Sequence, residues 1–134
     1  MIGVDTNILV RVALEDDASQ SKIAERFIDE HQKKGDLFIS SYAILEMVWV
    51  LKSHHFDRAD IHEVLLDLID SPGITIGQKE VVIRAAELYA LGKADFGDYM
   101  ILAEGQLLGA KMLISFDKLL CKTNSDCINL ISRK

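Results

Sequence analysis

Short apolar segments alternate with longer amphipathic segments along the chain, and this alternation is the feature that most constrains the fold. The longer segments carry apolar residues at helical spacing, as Ile23, Phe27 and Ile28 do,. No hairpin signal joins the short segments, so the sequence predicts an α/β fold with a parallel sheet of four to five strands and helices on both faces. The predicted strands are residues 2–4, 37–39, 74–76 and 112–114, with 127–131 as the candidate fifth.

The length and composition favour one globular domain over residues 1–134. The chain has no repeat or linker, 49% of its residues are apolar, and no apolar run is long enough to span a bilayer,. No leader segment is recognisable, so a cytoplasmic protein that does not bind membranes is expected. The net charge of −6 argues against a broad basic surface for nucleic acid, but it suits carboxylates gathered around a cation,.

Two cysteines, Cys121 and Cys127, lie six positions apart near the end of the sequence. Their spacing does not match that of paired zinc ligands. The low cysteine count favours plain thiols in a reducing cytosol, with a disulfide or a redox role as the alternative.

Acidic residues follow the predicted strands. Asp5 comes directly after the first strand, and Asp117 follows the fourth after Ser115 and Phe116. Asp95 and Asp98 open the helix that leads into the fourth strand, and their spacing of three puts them on one face of its first turn. Ligands of parallel sheets bind at the carboxyl ends of the strands, so we expect these side chains at one edge of the sheet.

Glu46 is the single carboxylate among nine apolar residues in segment 42–51. An unpaired carboxylate on an apolar helix is expected to be buried or to lie at the lip of a pocket, where a metal, a basic partner or a raised pKa must compensate. Each aspartate could instead be a helix N-cap, and Asp95 with Asp98 resembles a weak capping box. Caps account for three positions but leave Glu46 without a role.

Three or four carboxylates can hold one or two Mg²⁺ ions, because this hard cation takes oxygen ligands and keeps several waters. A bound cation lowers the pKa of an attacking water and neutralises charge in phosphodiester cleavage. No Ser–His or Cys–His nucleophile is apparent. Arg11 could contact a phosphate or simply pair with an acid. Trp49 is interpreted as a core residue rather than a platform on which bases stack.

The ordered acidic motifs resemble those of PIN domains over nearly the whole chain. Asp5-Thr6-Asn7 resembles the opening motif, Glu46 matches the second acidic position, and segments 94–101 and 115–118 resemble those that carry the third and fourth. The length also fits the bacterial and archaeal toxins of the VapC type.

This resemblance implies a nuclease that cuts RNA, often tRNA or rRNA, and that a cognate antitoxin protein inhibits. It also implies a homodimer. The implied ligands of Mg²⁺ or Mn²⁺ are Asp5, Glu46, Asp98 and Asp117, with Asp95, Thr6, Asn7 and Ser115 as auxiliary residues and Arg11 as a contact for the substrate.

Three alternatives remain open on the sequence alone. The chain could be an RNA-processing nuclease, or a module that binds RNA or a partner without cutting. A domain that transfers phosphate through an aspartyl phosphate is the third. A phosphatase of that kind needs a second Asp two residues after the first, where this chain has Asn7. A receiver domain needs a lysine after a late strand, and Lys118 directly follows Asp117.

Overall fold

Five short strands and seven helices alternate along residues 1–131, the part of the chain that the computed structural model describes. The strands are β1 (Ile2–Gly3), β2 (Leu37–Ile39), β3 (Ile74–Ile76), β4 (Leu113–Ser115) and β5 (Cys127–Asn129). The helices are α1 (Thr6–Leu14), α2 (Ala18–Lys34), α3 (Ser41–Ser53), α4 (Arg58–Asp70), α5 (Lys79–Leu91), α6 (Phe96–Leu107) and α7 (Lys118–Lys122). The predicted α/β class is confirmed.

All strand pairs in the described residues are parallel, as predicted, but they form two sheets. One sheet has the order β1-β2-β3, and the other pairs β4 with β5. The sequence pattern indicates that a strand exists and does not say which strand it pairs with, because strands of one sheet share the same period. The expected single sheet of four to five strands is therefore refined to two sheets, one of three strands and one of two strands.

The chain forms two compact units, which we call the first unit (Met1–Lys79) and the second unit (from Glu80 onward). The three-stranded sheet belongs to the first unit and the two-stranded sheet to the second. Among residues 1–131, no helix combines the length and the apolar character that crossing a bilayer requires.

In the first unit, β2 is the central strand, and its Leu37 and Ile39 are fully buried. Helix α3 adds Ile44 and Leu51 to this core, both without exposed surface. Burying a large aliphatic side chain stabilises a fold by about 1.5–3 kcal/mol, so these four residues anchor the sheet against the helix. The backbone N–H of Val4 donates to the carbonyl of Phe38 at 3.0 Å, which extends the β1–β2 pairing to the residue before Asp5.

In the second unit, helices α5 and α6 pack through aromatic side chains. The ring of Tyr89 makes edge contacts with Phe96 and Tyr99, at centroid distances of 5.8 and 6.5 Å. The hydroxyl of Tyr99 accepts a hydrogen bond from the backbone N–H of Ala94 at 3.2 Å. A side chain at Gly92 would collide with that hydroxyl. This packing holds the turn that leads into the start of α6.

Cys121 and Cys127 form a disulfide that joins α7 to β5. The interpretation of the two residues as plain thiols was therefore wrong. Spacing alone did not reveal the bond, because the two cysteines meet only through the path of the chain from α7 to β5.

Candidate functional site

Asp5 links the first strand to the first helix. It is the N-cap of α1, and its Oδ1 accepts a hydrogen bond from the backbone N–H of Thr6 at 2.8 Å. The side chain lies exposed at the carboxyl end of β1. A carboxylate has two oxygens, so a cap of this kind does not exclude a role for Asp5 in binding a cation.

Glu46 is held by a residue forty positions away. The hydroxyl Oγ1 of Thr6, which is buried, donates to Oε2 of Glu46 at 3.2 Å. This bond joins the first turn of α1 to the middle of α3. Because Ser40 caps α3 directly after β2, both Asp5 and Glu46 lie on helices that start from the carboxyl ends of paired parallel strands.

Glu46 is exposed rather than buried. The buried face of α3 is formed by other residues, including Ile44, Met47 and Val48, so the carboxylate keeps its hydration and needs no compensating charge,. The segment reads as apolar on nearly every side, because its exposed side carries aromatic residues as well as Glu46.

Tyr42 and Trp49 flank Glu46 on this exposed side of α3, with exposed fractions of 71% and 78%. The interpretation of Trp49 as a core residue was therefore wrong. Positions 42, 46 and 49 differ by four and three residues, so they share one helix face. That spacing was the signal in the sequence that could have shown the aromatic residues and the carboxylate to lie together.

Asn7 and Arg11 also lie on α1. Asn7 is exposed in the first turn of the helix. The guanidinium of Arg11 forms an ion pair with Asp16, with 2.8 Å between Nη1 and Oδ1, at a partly exposed position. Of the two roles that the sequence left open for Arg11, pairing with an acid is the one that the structure contains.

Two acids of the second unit lie at the start of α6. Asp95 occupies the N-cap position, but its side chain makes no capping hydrogen bond. The expected capping box between Asp95 and Asp98 is therefore absent from α6. The backbone N–H of Asp98 donates instead to the carbonyl of Asp95 at 3.1 Å, and the side chain of Asp98 is half-buried in the first turn.

Asp117 lies at the junction between β4 and α7. Its carboxylate caps α7 by accepting from the backbone N–H of Leu120 at 3.0 Å. Its own backbone N–H donates to the hydroxyl of Ser115 at 2.9 Å. Ser115 therefore orients Asp117 through the backbone at the end of the strand, and does not contact the carboxylate in these hydrogen bonds.

The acids of the second unit influence one another. Desolvation raises the pKa of Asp98, and the negative charges of Asp117 and Asp95 raise that pKa further. Like charges held together in a partly buried place disfavour the ionised form. A divalent cation would reverse this effect, because it stabilises the ionised carboxylates that repel one another in its absence.

The five acids provide only oxygen donors, which are the ligands that Mg²⁺ and Mn²⁺ prefer. Asp5 and Glu46 belong to the first unit, and Asp95, Asp98 and Asp117 belong to the second. Among residues 1–131, no three His, Cys, Asp or Glu side chains form a ready-made group for a metal ion. The fit to a hard cation rests on the oxygen donors alone.

Two comparisons with known proteins match nearly the whole chain. The family model of the PIN domain matches residues 2–125, a range that includes all five acids and extends over both units. The VapC ribonuclease of Aquifex aeolicus (strain VF5) is 25% identical to the chain over 128 residues, which covers 94% of each protein. No solved structure matches the chain significantly.

Proposed function

Because this chain belongs to the PIN-domain family, we propose that it is a metal-dependent endoribonuclease of the VapC type. The observation that carries the proposal is the position of the acids where strands end and helices begin, with Asp5 after β1, Asp98 in the first turn of α6 and Asp117 after β4. Desolvation, and then the negative charges of Asp117 and Asp95, raise the pKa of Asp98. A helix cap accounts for the position of Asp117 but not for that of Asp98, whose ionised form is disfavoured unless a cation is bound,.

Four acids would hold Mg²⁺ or Mn²⁺, namely Asp5, Glu46, Asp98 and Asp117. A cation bound there supplies charge neutralisation at the phosphate and lowers the pKa of a water.

The remaining residues position the acids or contact the substrate. Thr6 orients Glu46 through its hydroxyl, and Ser115 orients Asp117 through the backbone. In the same proposal Asp95 adds negative charge at the rim, Asn7 is a polar contact beside Asp5, and Arg11 meets a substrate phosphate after leaving Asp16.

Residues 1–134 form one nuclease domain in this proposal. Its support is the family match, which begins in β1 and extends past α7.

The proposed substrate is RNA, with tRNA and rRNA as the expected classes, and the proposed place of action is the cytoplasm. A cognate antitoxin and a homodimer follow from the same resemblance. Large apolar side chains exposed in the second unit support a protein interface, because extended apolar surface usually marks a binding site. They include Leu91, Ile101, Leu107, Leu108, Met112, Phe116 and Leu119.

Incubation of the purified protein with total RNA, with and without Mg²⁺ or Mn²⁺, tests the proposal. We expect discrete fragments that require the metal and that disappear in the Asp98→Asn variant. Asp67→Asn is the matched control, because Asp67 is an exposed aspartate on α4 and its removal should leave cleavage unchanged.

Three outcomes would each contradict a part of the proposal. A folded wild type that binds RNA without cutting it would indicate a binding module. Cleavage that survives in Asp98→Asn would remove this residue from the site. A phosphorylated enzyme that forms at Asp5 would support the phosphotransfer alternative.

A further inference from the structure

The exposed face of α3 carries two aromatic rings with a carboxylate between them. Tyr42 and Trp49 are 71% and 78% exposed, although large rings usually lie at least partly buried,. Along the helix axis, Glu46 lies about 6 Å from Tyr42 and about 4.5 Å from Trp49, from the rise per residue. The two rings therefore share one helix face with the carboxylate to which the hydroxyl of Thr6 donates,.

We propose that Tyr42 and Trp49 form a stacking subsite for unpaired nucleobases of the RNA substrate, one on each side of Glu46. This inference rests on the proposed function, since it assumes that the phosphate to be cleaved lies near that carboxylate. Aromatic side chains bind single-stranded nucleic acid by stacking on the bases, and this contact tolerates any base sequence. The two rings would hold the chain of nucleotides across α3.

The position of the rings beside a proposed metal ligand fits a contact to the RNA substrate better than the core of a protein interface. The cores of protein interfaces are depleted of charged residues, whereas here the exposed Glu46 lies between the two rings,. On the other side of Trp49, an open cavity of about 430 Å³ is lined by Val50, Lys52 and Ser53. The ammonium group of Lys52 gives this cavity a charge complementary to a phosphate next to a stacked base.

Trp49 is the only tryptophan of the chain, so its fluorescence reports directly on the proposed subsite. The titration uses the Asp98→Asn variant, which keeps the RNA intact and changes a residue of the other unit. We expect short oligouridylate to quench the fluorescence of Trp49. A matched abasic oligonucleotide, which has the same phosphates and no bases, should leave the fluorescence largely unchanged.

Substitutions test the contribution of each ring by the anisotropy of a labelled oligonucleotide. Trp49→Ala and Tyr42→Ala should each weaken binding roughly tenfold. Trp49→Phe and Tyr42→Phe keep an aromatic face and should retain most of the affinity. In cleavage assays of proteins with Asp98 intact, the alanine variants should raise KM more than they lower kcat. Ile23→Ala is the control, since Ile23 is an apolar residue of α2 with 67% exposure and no aromatic ring.

Three results would overturn the stacking subsite. The first is equal quenching by the abasic oligonucleotide, and the second is unchanged affinity in both alanine variants. The third is a fluorescence change that depends on protein concentration without RNA, which would assign this face to a second copy of the chain.

Failure of the subsite is distinguishable from failure of the nuclease. Metal-dependent cleavage by a wild type whose Trp49 does not respond to RNA would refute the subsite alone. Base-dependent quenching in a protein that never cuts RNA would refute the nuclease and retain the subsite.

Discussion

The two units hold their acidic residues in different ways. In the first unit, hydrogen-bond donors satisfy the carboxylates: the backbone of Thr6 donates to Asp5, and the hydroxyl of Thr6 donates to Glu46. In the second unit, Asp98 lies near carboxylates of the same charge, and its pKa is raised. A donor thus holds each acid of the first unit, whereas in the second unit the ionised form of Asp98 is disfavoured.

A bound cation is expected to have its larger effect in the second unit. Thr6 donates one hydrogen bond to each carboxylate of the first unit, so the positions of these two acids are fixed by contacts within that unit. The repulsion in the second unit is relieved only by a proton or a cation. We therefore expect metal binding to stabilise the surroundings of Asp98 more than those of Glu46.

The largest effect is expected from removing one acid of each unit. Substitution of a residue that only orients a metal ligand typically costs 10–100-fold, so Asp5→Asn and Asp98→Asn should each lower kcat/KM by at least about 100-fold. The proposed function assigns both acids to the same reaction, so the double variant should be hardly worse than either single variant, because residues that act together are not additive. Rates of RNA cleavage in a double-mutant cycle measure this. Losses that multiply would show that the two groups act separately.

A smaller effect is expected from the residues that orient the acids. Thr6→Val removes the donor to Glu46 and should lower kcat/KM roughly tenfold, while Thr6→Ser keeps a hydroxyl and should remain near the wild type. Ser115→Ala is the matching change in the second unit, with a weaker expected effect because Ser115 acts on the backbone of Asp117. Steady-state kinetics at saturating metal compare the three variants. Equal rates for Val and Ser at position 6 would argue against a role for the hydroxyl bond.

The smallest effect is the pH dependence of stability without metal. The folded-state pKa of Asp98 is raised, so protonation of this group favours the folded state,. Its stabilising contribution is complete below the unfolded-state pKa and is lost as the pH rises through the folded-state pKa. The free energy of unfolding should therefore rise more in the wild type than in Asp98→Asn as the pH is lowered through this interval. Denaturant unfolding in the presence of a chelator measures the difference, and identical pH profiles would contradict it.

The sequence predicted the elements well and their mutual contacts poorly. The strands that precede Asp5 and Asp117 were recognisable because apolar segments and turn residues are local signals. The hydrogen bond between Thr6 and Glu46 joins residues forty positions apart and exists only because α1 and α3 pack together. The role of each acid in binding metal remains a prediction.

Helix α3 shows why exposure was harder to predict than secondary structure. Its sequence is apolar on nearly every side, so periodicity could not show which face was buried. Packing within the first unit buried Ile44 and Leu51, and left Tyr42 and Trp49 in solvent. The helix α7 was expected only as the helix that Asp117 could cap, and its bounds were not predicted, because five residues are too few to display a helical period.

The disulfide between Cys121 and Cys127 gives the protein two covalent forms that differ by two hydrogen atoms. A protease cut between these positions would leave the fragments joined in one form and separate them in the other. Buffers with and without a reductant therefore compare different molecules, even when protein, metal and RNA are the same. Each preparation should accordingly be identified by the mass of its intact chain before its rates are compared with those of another.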